Sequence, residues 1–335
     1  MGARTWASRI AILHRYAPGL MVCAVASAAS IALASLLPAV SPLLISIVVG
    51  AVIVNAAGVP ERFVPGIALS ARTLLRAGIA LLGLELLLGD IVNLGWAVLG
   101  TVVAVVAIGI LGTWYLGGLL GVARAQRLLI ACGFSICGAA AVAAAEGVAD
   151  ADEEETVTAI ALVVVFGTVM IPVVPALSAL LGLSPVDAGI WAGASIHEVA
   201  QVVAAGSAIG STALGVAVIV KLARVLLLAP VIVAIGLAQR GRAPAGAGQK
   251  RPPLVPAFIV AFVACVALRS SGVVPEAAIA AAHHVQTALL AAAMFALGTG
   301  VKYSTLRKVG LRPVALAGAA TLTVAGVALA GTLLA

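Results

Sequence analysis

The sequence predicts an all-α, polytopic membrane protein, and three observations carry that prediction. The first is composition: of 335 residues, 63% are hydrophobic and only 9% charged, with a mean hydropathy of +1.24. A soluble domain uses about 25% charged residues to cover its core with a solvated surface. Twelve acids and nineteen bases cannot cover a 33.0 kDa globule. The second is segment length, since apolar stretches close to the roughly 20 residues of a bilayer span recur along the whole chain. The third is the packing vocabulary: 36 glycines, alanine-rich runs and only 4% aromatics fit helices that approach closely on small residues. A porin-type barrel would show short alternating strands and aromatic girdles, and neither is present.

In chain order the apolar segments fall at 17–37, 41–58, 67–88, 95–120, 126–148, 156–181, 188–210, 213–239, 254–272, 279–300 and 312–335. The first follows Arg4, Arg9 and Arg15 and superficially resembles a signal peptide. It is long, however, and a second apolar segment follows within a few residues, so it reads as a retained membrane helix. The stretch 240–253 (RGRAPAGAGQKRPP) reads as a cytoplasmic linker loop. Residues 1–335 read as a single transmembrane domain with no soluble domain attached.

Basic residues orient the chain. If the N-terminus is cytoplasmic and every segment spans, fourteen bases lie in cytoplasmic stretches, Arg269 alone lies on the other side, and four lie inside segments. That asymmetry is the positive-inside pattern. It accounts for the net charge of +7 without a nucleic-acid partner; the partner implied is the lipid bilayer. The four cysteines, Cys23, Cys132, Cys137 and Cys265, all lie in apolar runs without metal-ligand spacing, and read as small buried hydrophobes.

Two stretches repeat one another. Gly133-Phe-Ser-Ile-Cys-Gly, running on to Ala145, aligns without gaps with Gly193-Ala-Ser-Ile-His-Glu, running on to Ala205. Each is followed by an apolar helix with a proline at a similar place, Pro172 and Pro230. A second pair, 82–95 and 297–310, shares glycine spacing, so the repeat-related stretches are 67–181 and 188–335. Both pairs are inverted if 126–148 and 188–210 are broken or re-entrant and enter from opposite faces. Inverted repeats with discontinuous helices near the midplane are a common transporter plan, which favours broken segments here.

A charge at the bilayer centre costs on the order of 2.5–3.5 kcal/mol on insertion scales, so intramembrane polar groups mark candidate sites. Lys221 and Arg224 share a helical face in the middle of 213–239. They read as anion ligands, or else as a structural pair to acids such as Glu198. Arg72 and Arg76 share a face nearer the start of their segment, where snorkelling or structural pairing competes with function. Ser195, His197, Glu198 and Gln201 form the densest polar cluster in any apolar segment. On one helix His197 and Gln201 would share a face, with Glu198 turned by about 100°. Histidine titrates near neutral pH, so proton coupling through His197 and Glu198 is available. Ser135, Cys137 and Gly138 offer a hydroxyl and backbone N–H groups that, at a half-helix N-terminus, would face an anion. Asn55 is a weaker lining candidate, and His283 and His284 read as interfacial.

The chain carries no HExxH, GxSxG or Walker-type loop, so no catalytic residue, metal or cofactor is expected. A Ser195–His197 dyad on one helix would point its members apart.

At these motifs the sequence resembles the YeiH family of bacterial inner-membrane proteins, to which sulfate export is ascribed. The resemblance is carried by LLRAGIALLGLELLL (74–88), GFSICGAAAVAAA (133–145), GIWAGASIHEVAQVVAAG (189–206) and IVKLARVLLLAPV (219–231), and it covers the chain from about residue 40 onward. Glu198 departs from the family pattern, in which aspartate follows the histidine. The family is similar to a wider group that includes bile-acid symporters and cation/proton antiporters. The resemblance implies secondary transport in the inner membrane, beside the cytoplasmic N-terminus that the basic residues indicate and the absence of enzyme motifs. The expected substrate is a small oxyanion such as sulfate or sulfite, coupled to protons. The alternative is a cation-coupled symporter or cation/proton antiporter, with sodium or protons on Glu198. A homodimer is compatible with either.

Overall fold

The computed structural model describes residues 2–37, 41–240, 257–301 and 310–335. Fifteen helices follow one another there: α1 (Gly2–Leu36), α2 (Pro42–Ala56), α3 (Glu61–Glu85), α4 (Leu88–Asn93), α5 (Gly95–Leu119), α6 (Arg124–Ser135), α7 (Ala139–Ala149), α8 (Glu153–Leu180), α9 (Pro185–Ser195), α10 (Val199–Ile209), α11 (Ser211–Leu226), α12 (Leu228–Arg240), α13 (Ala257–Ser270), α14 (Glu276–Gly298) and α15 (Leu311–Leu334). Among the described residues, seven helices or helix runs are long and apolar enough to cross a membrane: Arg15–Leu36, α3, α5, Glu154–Leu180, Ser211–Gln239, α14 and α15. Helices α2 and α13 are shorter and also apolar. Residues 241–256, which hold most of the predicted linker, lie outside the described residues.

Local chemistry sets the helix limits. Asp152 caps α8 through the Glu155 N–H at 2.7 Å, and the Glu155 carboxylate returns to the Asp152 N–H at 3.2 Å, a reciprocal capping box. Ser184 caps α9 ahead of Pro185, where a missing N–H costs nothing. The run α11–α12 is interrupted at Leu227, three residues before Pro230, whose ring has no N–H to continue the ladder. Inside α3, Ser70–Leu74 forms one π-helical turn.

Glycine contacts fix the relative directions. Gly19 of α1 meets Gly66 of α3, and Cys23, one turn further along α1, meets Ser70, one turn further along α3, so these helices run parallel. We call the face on which they begin the N-face. Gly50 of α2 packs on Phe295 and Gly298 of α14, and the Asn55 amide donates to the Val301 carbonyl at 2.8 Å. Those two helices therefore run together and end on the N-face. Gly117 near the end of α5 packs against Arg127 and Leu316, and Gly121 faces Arg312. The end of α5 and the starts of α6 and α15 thus share the N-face.

Helices α6 and α7 form a re-entrant hairpin. Gly133 of α6 faces Val142 of α7, so the chain folds back on itself, and α8 restarts on the N-face with Val157 beside Gly300. Helices α9 and α10 form the counterpart from the opposite face. Gly189 and Gly193 of α9 pack on Ala213 and Ala217 of α11, a parallel arrangement, whereas Gly206 of α10 packs back on Leu214. The predicted segments 126–148 and 188–210 therefore each enter and leave on one face, and the faces are opposite. Of the second repeat pair, 82–95 lies at the opposite face and 297–301 at the N-face; residues 302–309 lie outside the described residues.

Two groups of helices pack side by side. Helices α1, α2, α3, α13 and α14 contact one another, while α5, both hairpins, α8, α11 and α15 form the larger core. The hairpin tips lie within that core, and the seam between the groups passes alongside them.

Candidate functional site

The two hairpin tips present the same problem. Helix α6 ends at Ser135 and α9 ends at Ser195, so the last carbonyls of each have no partner within their helix and carry the negative end of its dipole. Arg224 and Lys221 of α11, both fully buried, solve it. The Arg224 guanidinium donates from Nε to Ser135 O (3.2 Å), from Nη2 to Phe134 O (3.1 Å), and from Nη1 to Ala194 O (2.8 Å), Ile196 O (3.0 Å) and Gly193 O (3.3 Å). Lys221 Nζ donates to Ile196 O at 2.7 Å and Ile136 O at 3.1 Å. One cation pair therefore ties both tips together. The i, i+3 spacing that put these bases on one face is what lets both reach the same junction.

Sequence pointed to Lys221 and Arg224 as anion ligands; the partners they meet here are main-chain carbonyls of the two tips. Their hydrogen bonds go to backbone carbonyls, which repay the burial cost, and they make no ion pair with Glu198 among the described residues. Neither lines the two cavities described below.

At the second tip the helical reading of Ser195–Gln201 also fails, because α9 stops at Ser195 and α10 starts only at Val199. Ile196 and Glu198 are extended (ψ 149° and 151°), so consecutive side chains diverge. His197 is fully buried and lies against the Phe134 ring, with 4.5 Å between centroids. Its Nδ1 is 3.2 Å from Phe134 O and must donate, since a carbonyl only accepts. Its Nε2 lies 3.1 Å from Thr321 Oγ1, which is itself 2.9 Å from Ala317 O. The one hydroxyl hydrogen serves either neighbour. With neutral histidine it turns to Nε2; with imidazolium it turns to Ala317 O and Thr321 accepts from Nε2–H. Both protonation states keep their hydrogen bonds.

Glu198 turns elsewhere. Its Oε1 accepts the Ala139 N–H at 3.1 Å, at the first residue of α7, where the helix dipole favours an anion. Gly138 makes this approach possible: its φ is +79°, and a Cβ there would strike the Glu198 side chain. The Glu198 N–H is capped by Gln201 Oε1 at 3.1 Å, and the Gln201 amide donates to Val164 O of α8 at 3.3 Å. Gln201 is thus a brace between the second tip and α8.

A cavity of about 370 Å³ runs along the seam between the two helix groups. Its mouth, at Ser41, Glu85 and His283, is on the face opposite the N-face. Its base, at Cys137, Ala140, Glu198, Val199 and Ala200, is formed by the two tips. A second cavity of about 810 Å³, lined by Gly58, Val64, Glu154 and Gly300, lies on the same seam at the N-face.

A family profile described as "Conserved hypothetical protein 698" matches residues 18–317. A UPF0324 membrane protein of Corynebacterium glutamicum is 52% identical over 326 residues, 97% of this chain and 94% of that protein. The chain belongs to the YeiH family of UPF0324 membrane proteins. Other YeiH-family relatives include UPF0324 membrane proteins of Bacillus cereus, 39% identical over 80% of this chain and 79% of its own length, and of Agrobacterium fabrum, 34% identical over 95% and 92%. No solved structure matches the chain.

In this YeiH-family chain the tips gather Ser135, Cys137, Gly138, Ser195, His197, Glu198, Gln201, Lys221 and Arg224. The hydroxyls of Ser135 and Ser195 are buried without a hydrogen-bond partner among the described residues. Three predicted candidates lie elsewhere. Asn55 joins α2 to Val301 near the N-face. Arg72 pairs with Glu146 of α7 at 3.4 Å, and Arg76 lies 5.7 Å from the Phe258 ring centroid; both are exposed, as surface cations held by neighbours. His283 hydrogen-bonds Glu85 at the cavity mouth. Sequence reasoning missed Thr321 and Gln286. Neither carries a local signal, since each is a single uncharged polar residue in an apolar segment.

Proposed function

We propose that this chain is a secondary transporter of a small oxyanion, of the sulfate or sulfite type, driven by protons in the bacterial cell membrane. The observation that carries the reading is the pair of hairpins that enter from opposite faces and meet tip to tip, with a cavity reaching the junction from one face. That is the plan by which discontinuous helices form a midplane site accessible in alternation. Arg15, Arg62, Arg124, Arg127 and Arg312 lie towards the N-face, which favours a cytoplasmic N-face by the positive-inside rule. The 370 Å³ cavity then faces outward.

The anion would be held by first-turn N–H groups at the starts of α7 and α10, where the Ala139 N–H already holds the Glu198 carboxylate. Lys221 and Arg224 would act behind the tips as a positive background, by charge and not by contact. His197 suits proton coupling because its Thr321 partner accommodates either protonation state. The sodium-coupled reading draws support from Glu198, the acid at the base of the cavity. Against it, the half-helix carbonyls that hold sodium in other transporters are here bonded to Arg224 and Lys221. A protein enzyme role has no comparable support, since the partners of His197 do not include Ser195.

The test is uptake of labelled sulfate into proteoliposomes, with and without a pH gradient and with and without sodium. Uptake that follows the proton gradient and ignores sodium is the expected result. Uptake that requires sodium would favour the cation-coupled reading, and no uptake of sulfate or sulfite under any gradient would defeat the oxyanion reading.

A further inference from the structure

We infer that Glu198 is a resident anion that holds the substrate position until it is protonated, so that anion binding takes up one proton. The inference rests on the oxyanion reading above and specifies how that site is regulated. The Glu198 carboxylate already occupies the place an anion would take: its Oε1 accepts from Ala139 at the start of the eleven-residue helix α7, and it faces the cavity together with Ala140, Val199 and Ala200. An oxyanion cannot share this position with a carboxylate, because two negative charges in contact away from water repel strongly. Adding a proton to the carboxylate removes the charge and leaves the α7 N–H groups to the substrate.

A second feature points independently to a ligand. Gln286 of α14 lines the same cavity from the other helix group, is only 5% exposed, and its Oε1 has no hydrogen-bond partner among the described residues. A buried amide oxygen left unpaired forfeits the hydrogen bond that water would give it. With either orientation of the amide, an oxyanion or its protonated form would satisfy it.

The groups around Glu198 are consistent with a single titrating carboxylate. Helix α11 contributes Lys221 and Arg224, both bonded to tip carbonyls. The first tip contributes Cys137, the second His197, which turns away to Thr321. From α8 the Val164 carbonyl reaches this group through Gln201. Along the cavity, His283 and Glu85 bond to each other at the mouth.

The experiment is sulfate binding to the purified full-length protein in detergent, read as sulfate-dependent thermal stabilisation between pH 5 and pH 8, with chloride as the control ion. In the wild type, affinity for sulfate should weaken about tenfold per pH unit above the carboxyl titration, the slope of one linked proton. Glu198→Gln should bind sulfate with a pH-independent affinity, and Glu198→Asp should keep the slope. Gln286→Leu should weaken binding in all backgrounds by several-fold. Wild-type binding that is independent of pH, or a Glu198→Gln variant that keeps the slope, overturns the inference while leaving oxyanion transport standing. Absence of sulfate and sulfite binding in both wild type and Glu198→Gln overturns the inference together with the reading beneath it. The wild-type slope needs no variant, so a misfolded substitution does not remove the test.

Discussion

Hairpin 1 (α6–α7) turns at Ser135-Ile-Cys-Gly138, and hairpin 2 (α9–α10) turns at Ser195-Ile-His-Glu198. Each ends its incoming helix on serine, each returns through an eleven-residue helix, and each gives its terminal carbonyls to Arg224 and Lys221. The last two residues of the turn differ. Hairpin 1 reverses through a glycine at positive φ, whereas hairpin 2 reverses through extended residues with large polar side chains. The small residue in one tip makes room for the long carboxylate of the other. Related backbones therefore differ in what they carry: one tip offers a helix N-terminus and the room beside a glycine, and the other supplies a histidine and a carboxylate.

The largest effect should come from breaking what the two hairpins share. Arg224→Ala would strand several carbonyls from both tips, each worth about 1–3 kcal/mol when left buried and unpaired. Loss of folded protein from the membrane fraction is expected, measured by size-exclusion chromatography after solubilisation. A folded Arg224→Ala protein would mean that the tips do not depend on the guanidinium. Gly138→Ala should follow, since an L-residue at this sparsely populated positive φ (ψ −137°) costs roughly 1–3 kcal/mol and the added Cβ must also displace Glu198. Its melting temperature should fall more than that of Glu198→Gln, because the second tip needs no positive φ. Equal shifts would erase the proposed asymmetry.

His197→Gln is expected to act on turnover. Glutamine replaces one hydrogen bond of the ring but cannot take up the proton, so initial uptake should drop by about tenfold, roughly 1.4 kcal/mol in barrier. The pH slope of sulfate binding should stay as in wild type. If that slope were lost as well, histidine and not Glu198 would set the linkage. The smallest effect is expected for Arg72→Gln. Its pair with Glu146 is solvent-screened, with 60% of the arginine side chain exposed, and such pairs contribute about 0–1 kcal/mol. A thermal melt indistinguishable from wild type is the expected outcome, and a large loss would move this arginine into the machinery that joins α3 to hairpin 1.

The chain by itself determined its solvent, its helices and the places where two of them break. Hydropathy is a sum over neighbours in sequence, so composition and window length are enough to read membrane segments. The Gly-x-Ser-Ile pair marked both breaks because the interruption is written into the local residues. The polar cluster at 195–201 and the two bases of α11 were legible as unusual for the same reason, as charge and hydrogen-bonding groups inside apolar runs. Their partners were not. The expectation that His197 and Gln201 share a face assumed a helix that stops before either residue. The anion-ligand reading of Lys221 and Arg224 took no account of carbonyls freed at the tips, which lie 25 to 90 positions away in sequence. Asn55, Arg72 and Arg76 looked like site residues because sequence shows depth within a segment but not which way a helix faces. Only the packed structure decided which buried donor meets which orphaned acceptor. A hydrogen bond exists over a few tenths of an ångström, and that distance is set jointly by helices that the sequence describes one at a time.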